Sequence, residues 1–396
     1  SFKLQQQLGA MQLVCLPEKV LDMEIYADLY VHIGRSKGEA VKITASRDLT
    51  LQNALNYAKK VKGLDALGIV DCGSEAVLAE ITELIGAGVL KEAAGGGLIT
   101  DDGLLLVLGW EVELGDVHYL IYLPTIEALT ELAKTLWPRT KNPRLSTQRF
   151  AISPQELRSV AESLGGLFFP AHAFTPHKGF YGRLVDSLYE VFDSPFVAIE
   201  MGLSSSTEMI AGIRELDPTT FVANSDAHSL QKIAREFNQL EVECLSFAGI
   251  KEALEKEKVI ANYGLDPRLG KYFESGCLRC GMPGETGSIC STCGGPIVAG
   301  VRPRLEELGG FGEGRNRPLY VKQIPLEMLP YIGPRTLEKL QALGTEIAVL
   351  HKLPIEQIAT ATNPQVAEVI SQARLTGEKK LKISFGKAGY YGRVEL

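Results

Sequence analysis

Residues 221–228 read Phe221-Val222-Ala223-Asn224-Ser225-Asp226-Ala227-His228, an apolar run ending in a carboxylate and an imidazole two residues apart. A buried parallel strand delivers metal ligands in this way, at its C-terminal end. An Asp and a His at that spacing reach one or two divalent ions from a single loop. The same polar ending recurs along the chain. One strand-like run closes on His32, another on Asp71, a third turns polar at Glu111, a fourth opens at His118, and two more close on His172 and Glu200. The candidate ligands are therefore His32, Asp71, Glu111, His118, His172, Glu200, Asp226 and His228. Taken singly, His118 also reads as a hydrogen-bonded core histidine and Glu200 as a cap of the next helix. Packed together, these groups repel or stay unsatisfied unless cations neutralise them. Two or three divalent ions sharing a carboxylate activate water and clamp a phosphate, which is hydrolytic chemistry.

Such ligands need elements that converge. Strand patterns alternate with helical periodicity over 53–61, 124–136, 153–164, 204–216 and 247–256. This alternation predicts parallel βαβ units with right-handed crossovers. Ligands at successive strand ends favour a barrel, where those ends meet, over an open sheet. The expected fold is α/β, a distorted seven-stranded (βα) barrel.

The chain of 396 residues exceeds what one core usually holds, so two or three domains are expected. No run of eighteen apolar residues is present, which excludes a spanning helix. Residues 1–22 lack the charged and apolar regions of a signal peptide and read as an extension, with Met23 a natural start. A cytoplasmic location follows. Residues 271–396 carry 16 Lys and Arg against 12 Asp and Glu, a net +4, leaving −11 for residues 1–270. The acidic part suits a carboxylate-rich metal site and the basic part a polyanionic partner; ordinary surface variation accounts for the imbalance equally well.

Of seven cysteines, Cys277, Cys280, Cys290 and Cys293 form two C-x-x-C pairs nine residues apart, with glycines at 281, 284, 287, 294 and 295 for tight turns. Without an export signal this spacing predicts a closed structural zinc site rather than disulfides. Further on, Leu329-Pro330-Tyr331-Ile332-Gly333-Pro334-Arg335-Thr336 lies between two helical patterns. It resembles a helix-hairpin-helix, whose turn offers backbone N–H groups to a DNA phosphate, or else an ordinary helical hairpin. The tail interleaves Lys379, Lys380, Lys382, Lys387 and Arg393 with Tyr390 and Tyr391, as backbone contacts and a stacking platform or as a solvated strand pair.

The pattern of His32, Asp71, Glu111, His172 and Asp226-Ala227-His228 resembles the polymerase and histidinol phosphatase (PHP) superfamily. Four longer segments resemble endonuclease Q: D-L-Y-V-H-I-G-R-S-K-G-E-A-V-K-I-T-A-S from Asp28, F-P-A-H-A-F-T-P-H from Phe169, E-M-G-L-S-S from Glu200 and N-S-D-A-H-S from Asn224. The resemblance spans residues 23–396. It implies a PHP-type barrel over 23–265 with two or three ions (Zn, Mn or Mg), a zinc-ribbon domain over 266–318, and a helical DNA-binding domain over 319–396. It further implies a hydrolase that incises duplex DNA 5′ of deaminated bases (uracil, hypoxanthine, xanthine) or abasic sites, with Asp226, Glu111 and His172 catalytic. Gly333, Arg335, Lys382, Lys387 and Arg393 would contact DNA, and Phe174, Phe180 and Tyr181, after His172, would wall the pocket for an extruded lesion. A sliding clamp is a family-level partner, though no segment carries a motif for it. Two positions depart from the superfamily: its H-x-H reads Tyr30-Val31-His32, and its T-D-H reads Val70-Asp71-Cys72. A phenol is a poor ligand unless the metal deprotonates it, and Cys72 is either a soft ligand or a small buried side chain. The rival readings are a phosphomonoesterase of the same superfamily and a DNA-binding relative that has lost catalysis.

Overall fold

The computed structural model describes residues 22–374 and 381–395; the extension over 1–21 and the tail residues Lys379 and Lys380 lie outside them. Seven strands make the ring: β1 (Met23–Val31), β2 (Ala66–Ile69), β3 (Leu105–Leu114), β4 (Val117–Leu123), β5 (Leu167–Pro170), β6 (Ala198–Glu200) and β7 (Thr220–Val222). β1, β2 and β3 pair in parallel, as do β6 and β7. The remaining joins are thin. Ala173 N–H donates to Glu200 O at 2.9 Å between the ends of β5 and β6, and residues around Ala227 bond to Tyr30 and His32 where β7 meets β1. The near-continuous burial of β3 follows from having neighbours on both faces.

One direction differs from the sequence-based expectation. Gly115, at φ +62°, and Asp116 close a two-residue hairpin, so β4 runs antiparallel to β3 with Leu114 opposite Val117. β5 is antiparallel to β4 in turn. The reversal explains His118. A residue at the start of an antiparallel strand lies at the same barrel end as residues that close parallel ones.

Outside the ring, β8 (Phe237–Val242) extends β1 antiparallel, β9 (Val259–Leu265) follows, and β10 (Leu319–Gln323) joins β9 in parallel. Among the described residues, no helix is long and apolar enough to cross a membrane. A second apolar cluster, including Leu265, Leu326, Leu340, Val349, Ile358 and Ile370, lies under the C-terminal helices. The expected helix-hairpin-helix is only half formed. Its first limb is a single 3₁₀ turn, Leu326–Met328, before Gly333 precedes the helix Pro334–Gln341, because Pro325 and Pro330 leave no room for a longer one.

Candidate active site

At the end of the ring where β1 to β3 finish, six of the eight candidate ligands fall into two groups: His32, Asp226 and His228, and Glu111, His118 and His172. Within each group the ligand atoms lie within 4.8 Å of one another. The groups adjoin. His32 Nε2 is 3.5 Å from both Glu111 Oε2 and Asp226 Oδ1, and His118 Nδ1 is 3.0 Å from Glu111 Oε1. Asp226 (φ 45°) and His172 (φ 29°) both hold the left-handed backbone region, a strain that a packed site sustains when it re-aims a side chain.

Asp28, buried on β1, sets the Asp226 loop by accepting N–H bonds from Ser225 (3.1 Å) and Ala234 (2.9 Å). Burial pushes its carboxyl up to about 6, although those bonds pull the other way. Asp71 belongs to neither ligand group. It lies 3.0 Å from His32 Nδ1 and is itself held by Ile33 N–H at 2.6 Å and by the Ser146 hydroxyl. With Nδ1–H donating to Asp71, the His32 Nε2 lone pair faces the other carboxylates. That nitrogen is buried without a hydrogen-bond partner. A carboxylate behind an imidazole whose far nitrogen awaits an acceptor of its lone pair is a metal-ligand arrangement. The donor set fits divalent cations.

The charges agree. Burial pushes His172 and His228 down to about 4, so both imidazoles are neutral, as ligands must be. Burial would raise Glu111, but Lys42, His118 and His32 outweigh it and hold the carboxyl well below its usual range. Glu200 belongs to neither group either. Its oxygens accept the backbone N–H groups of His172 and of Gly202 (3.0 Å), and burial raises it to about 8. It lines the same cleft as the two groups.

Both departures from the superfamily pattern have physical outcomes. The Tyr30 phenol, raised well above 10 by burial and by Glu111, donates to Glu111 Oε1 and remains protonated. Cys72 packs as a small buried side chain, its thiol pushed up by burial and donating to Ile69 O at 3.0 Å. Lys42, which no sequence pattern singled out, places its ammonium 3.0 Å from Glu111 Oε2. Thr147 also donates to that oxygen.

The groups line a cleft of about 580 Å³ whose walls include Lys178, Lys232, Arg235, Lys271, Tyr272 and Tyr391. The expected lesion-pocket walls do not line it. Phe174, Phe180 and Tyr181 are fully buried, with Phe174 stacked on Tyr181 at 5.4 Å and Phe180 packed against Phe196. Apolar rings beside a buried strand end gain more by joining the core than by facing water. Of the expected DNA contacts, Gly333 and Arg335 are exposed ahead of and within the helix Pro334–Gln341, while Lys382 and Arg393 are exposed on a C-terminal hairpin. Lys387 and Arg393 line a second groove, shared with Cys280, Gly281 and Tyr391.

The four clustered cysteines come together beyond the barrel. Gly281 (φ 70°) and Gly294 (φ 67°) donate to Cys277 O and Cys290 O at 2.8 Å, making two matching knuckles. Sulfurs 3.4 Å apart (Cys277–Cys293) and 3.5 Å apart (Cys280–Cys290) are not disulfide-bonded, and the four form one potential metal site.

No protein-family model matches the chain. The uncharacterized protein YqxK of Bacillus subtilis (strain 168) is 44% identical over 388 residues, covering 94% of this chain and 99% of its own. The crystal structure of the lesion-specific endonuclease PfuEndoQ from Pyrococcus furiosus is similar at a TM-score of 0.80 and 31% identity, covering 94% of this chain and 96% of that one. Endonuclease Q in complex with a 27-mer duplex carrying an abasic lesion at its active site is similar at a TM-score of 0.83, with 31% identity and coverage of 94% and 97%.

Proposed function

The chain belongs to the endonuclease Q family, and from that premise we propose that it is a DNA repair hydrolase that incises one strand 5′ of a deaminated base or an abasic site. The observation that carries this is the pair of adjoining ligand groups at the floor of a cleft rimmed by cationic side chains. His32, Asp226 and His228 would hold one divalent ion, and Glu111, His118 and His172 a second. Bound ions of this kind activate water at neutral pH and neutralise charge on a phosphoryl oxygen. The chain's own groups do the rest. Asp71 fixes the His32 tautomer, and Lys42 and Tyr30 hold Glu111 in one orientation from two sides. Two ligand groups in the barrel among the described residues account for two ions there. The four cysteines take zinc in a reducing, cytoplasmic setting, and the basic C-terminal part tracks duplex DNA, with a clamp protein as a family-level partner.

Metal removal tests the reading. Prolonged chelation is expected to abolish nicking of a duplex with one abasic site, and Mn²⁺ or Mg²⁺ to restore it. Elemental analysis of the intact protein is expected to give roughly three ions per chain, one for each ligand group among the described residues. Activity that survives chelation, or hydrolysis of simple phosphomonoesters with no action on the duplex, contradicts it.

A further inference from the structure

Of the lysines lining the catalytic cleft, two are paired with acids: Lys42 with Glu111 (3.0 Å), and Lys178 with Glu113 (3.0 Å) and Asp116 (3.2 Å). Lys232 and Lys271 are not; among the described residues neither has a carboxylate within 4.0 Å. Both ammonium groups instead sit over the ring of Tyr391, at 5.7 and 4.8 Å from its centre, and the Arg235 guanidinium is 5.6 Å from the same ring. Three cations on one tyrosine repel one another.

Arg235 is buried and not a free anion clamp, because three of its five N–H donors are engaged within the protein. Nε bonds Ser225 O at 2.7 Å, Nη2 bonds Asp226 O at 3.3 Å and Nη1 bonds the Tyr391 hydroxyl. It therefore ties Tyr391 to the loop that carries Asp226 and His228. The backbone fixes the ring's position: Gly389 N–H donates to Lys271 O at 3.0 Å and Gly392 N–H to Leu269 O at 2.9 Å. Tyr391 also lines the second groove with Lys387 and Arg393, so it borders both that groove and the catalytic cleft.

We propose that Lys232 and Lys271, set on the Tyr391 ring, form a seat for a non-scissile phosphodiester of the cut strand, placed on the Asp226 side of the cleft. The proposal rests on the DNA-incising reading and deepens it. Two half-buried ammonium groups without acids are a phosphate's electrostatic complement. Their anchoring to the Asp226 loop turns backbone binding into register of the scissile bond over the ligand groups.

The test is the salt dependence of binding, in chelator to prevent cutting, to a fluorescent duplex with one abasic site. Loss of phosphate contacts lowers the slope of log affinity against log salt by about 0.9 each. The Lys232→Ala/Lys271→Ala double variant is expected to lose roughly one unit of slope, with an unchanged melting temperature and metal content. Tyr391→Phe, which keeps the ring, is expected to retain the slope. An unchanged slope in the double variant while the wild type nicks the duplex overturns the seat alone. A slope loss in Tyr391→Phe equal to that of the double variant also overturns it, since the hydroxyl and Arg235 would then carry the effect. A wild type that neither binds nor nicks overturns both the seat and the reading beneath it.

Discussion

Glu111→Gln is expected to lower single-turnover incision by about 10³-fold, the consequence of losing several kcal/mol of transition-state charge stabilisation. The substitution keeps the volume but removes the charge and turns one of two accepting oxygens into a donor. Glu111 is the carboxylate where the two ligand groups meet, 3.5 Å from His32 Nε2 and 3.0 Å from His118 Nδ1. It is also the counter-charge for the partly buried Lys42 ammonium. The neutral amide leaves that ammonium next to a site meant to hold cations, so the variant is expected to lose barrel metal as well as rate. Rate and metal content measured together check this. Full metal content with near-normal rate would show that Glu111 only shapes the site.

Lys62→Met is expected to destabilise the protein by about 3–5 kcal/mol, the usual penalty for stranding one member of a buried ion pair. Lys62, on the turn after the first helix, is 1% exposed. Its ammonium bonds Glu346 Oε2 at 2.5 Å and Gln231 O at 2.7 Å. Glu346 opens the helix Glu346–His351, and its other oxygen accepts the Leu326 N–H at 3.2 Å. The pair thus ties the barrel to the C-terminal helices. Urea denaturation followed by circular dichroism reads the loss. Adding Glu346→Gln to Lys62→Met is expected to recover most of it, because the unpaired charge is then gone. A single variant as stable as the wild type would mean that water or rearrangement satisfies Glu346.

Much of the site was legible because ligand types mark strand ends. His32, Glu111, His172, Asp226 and His228 each sit where an apolar run turns polar, and the structure brings them together with His118. The four cysteines were legible from spacing alone. Sequence did not tell which strand-end groups cluster: Asp71 and Glu200 end strands too, but one faces an imidazole and the other backbone N–H groups, outside the two clusters. Nor did it show the direction of β4, which depends on one hairpin at Gly115-Asp116. Phe174, Phe180 and Tyr181 looked like loop aromatics because tertiary packing, not local pattern, decides which rings reach water. Lys42 lies in a family-like segment and Tyr391 in the aromatic tail, but neither shows in the sequence which partner gives it a role. Lys42 matters through a partner 69 residues away, and Tyr391 through Arg235, 156 residues away.

The central claim is tested most directly by mapping the cut in a 5′-labelled duplex with a single abasic site or deoxyinosine, with Mn²⁺ or Mg²⁺ added and Asp226→Asn as control. The account predicts one labelled product ending immediately before the lesion, absent from undamaged duplex and from the Asp226→Asn reaction. Cleavage on the 3′ side, equal cutting of undamaged DNA, or an undiminished product from Asp226→Asn would contradict it.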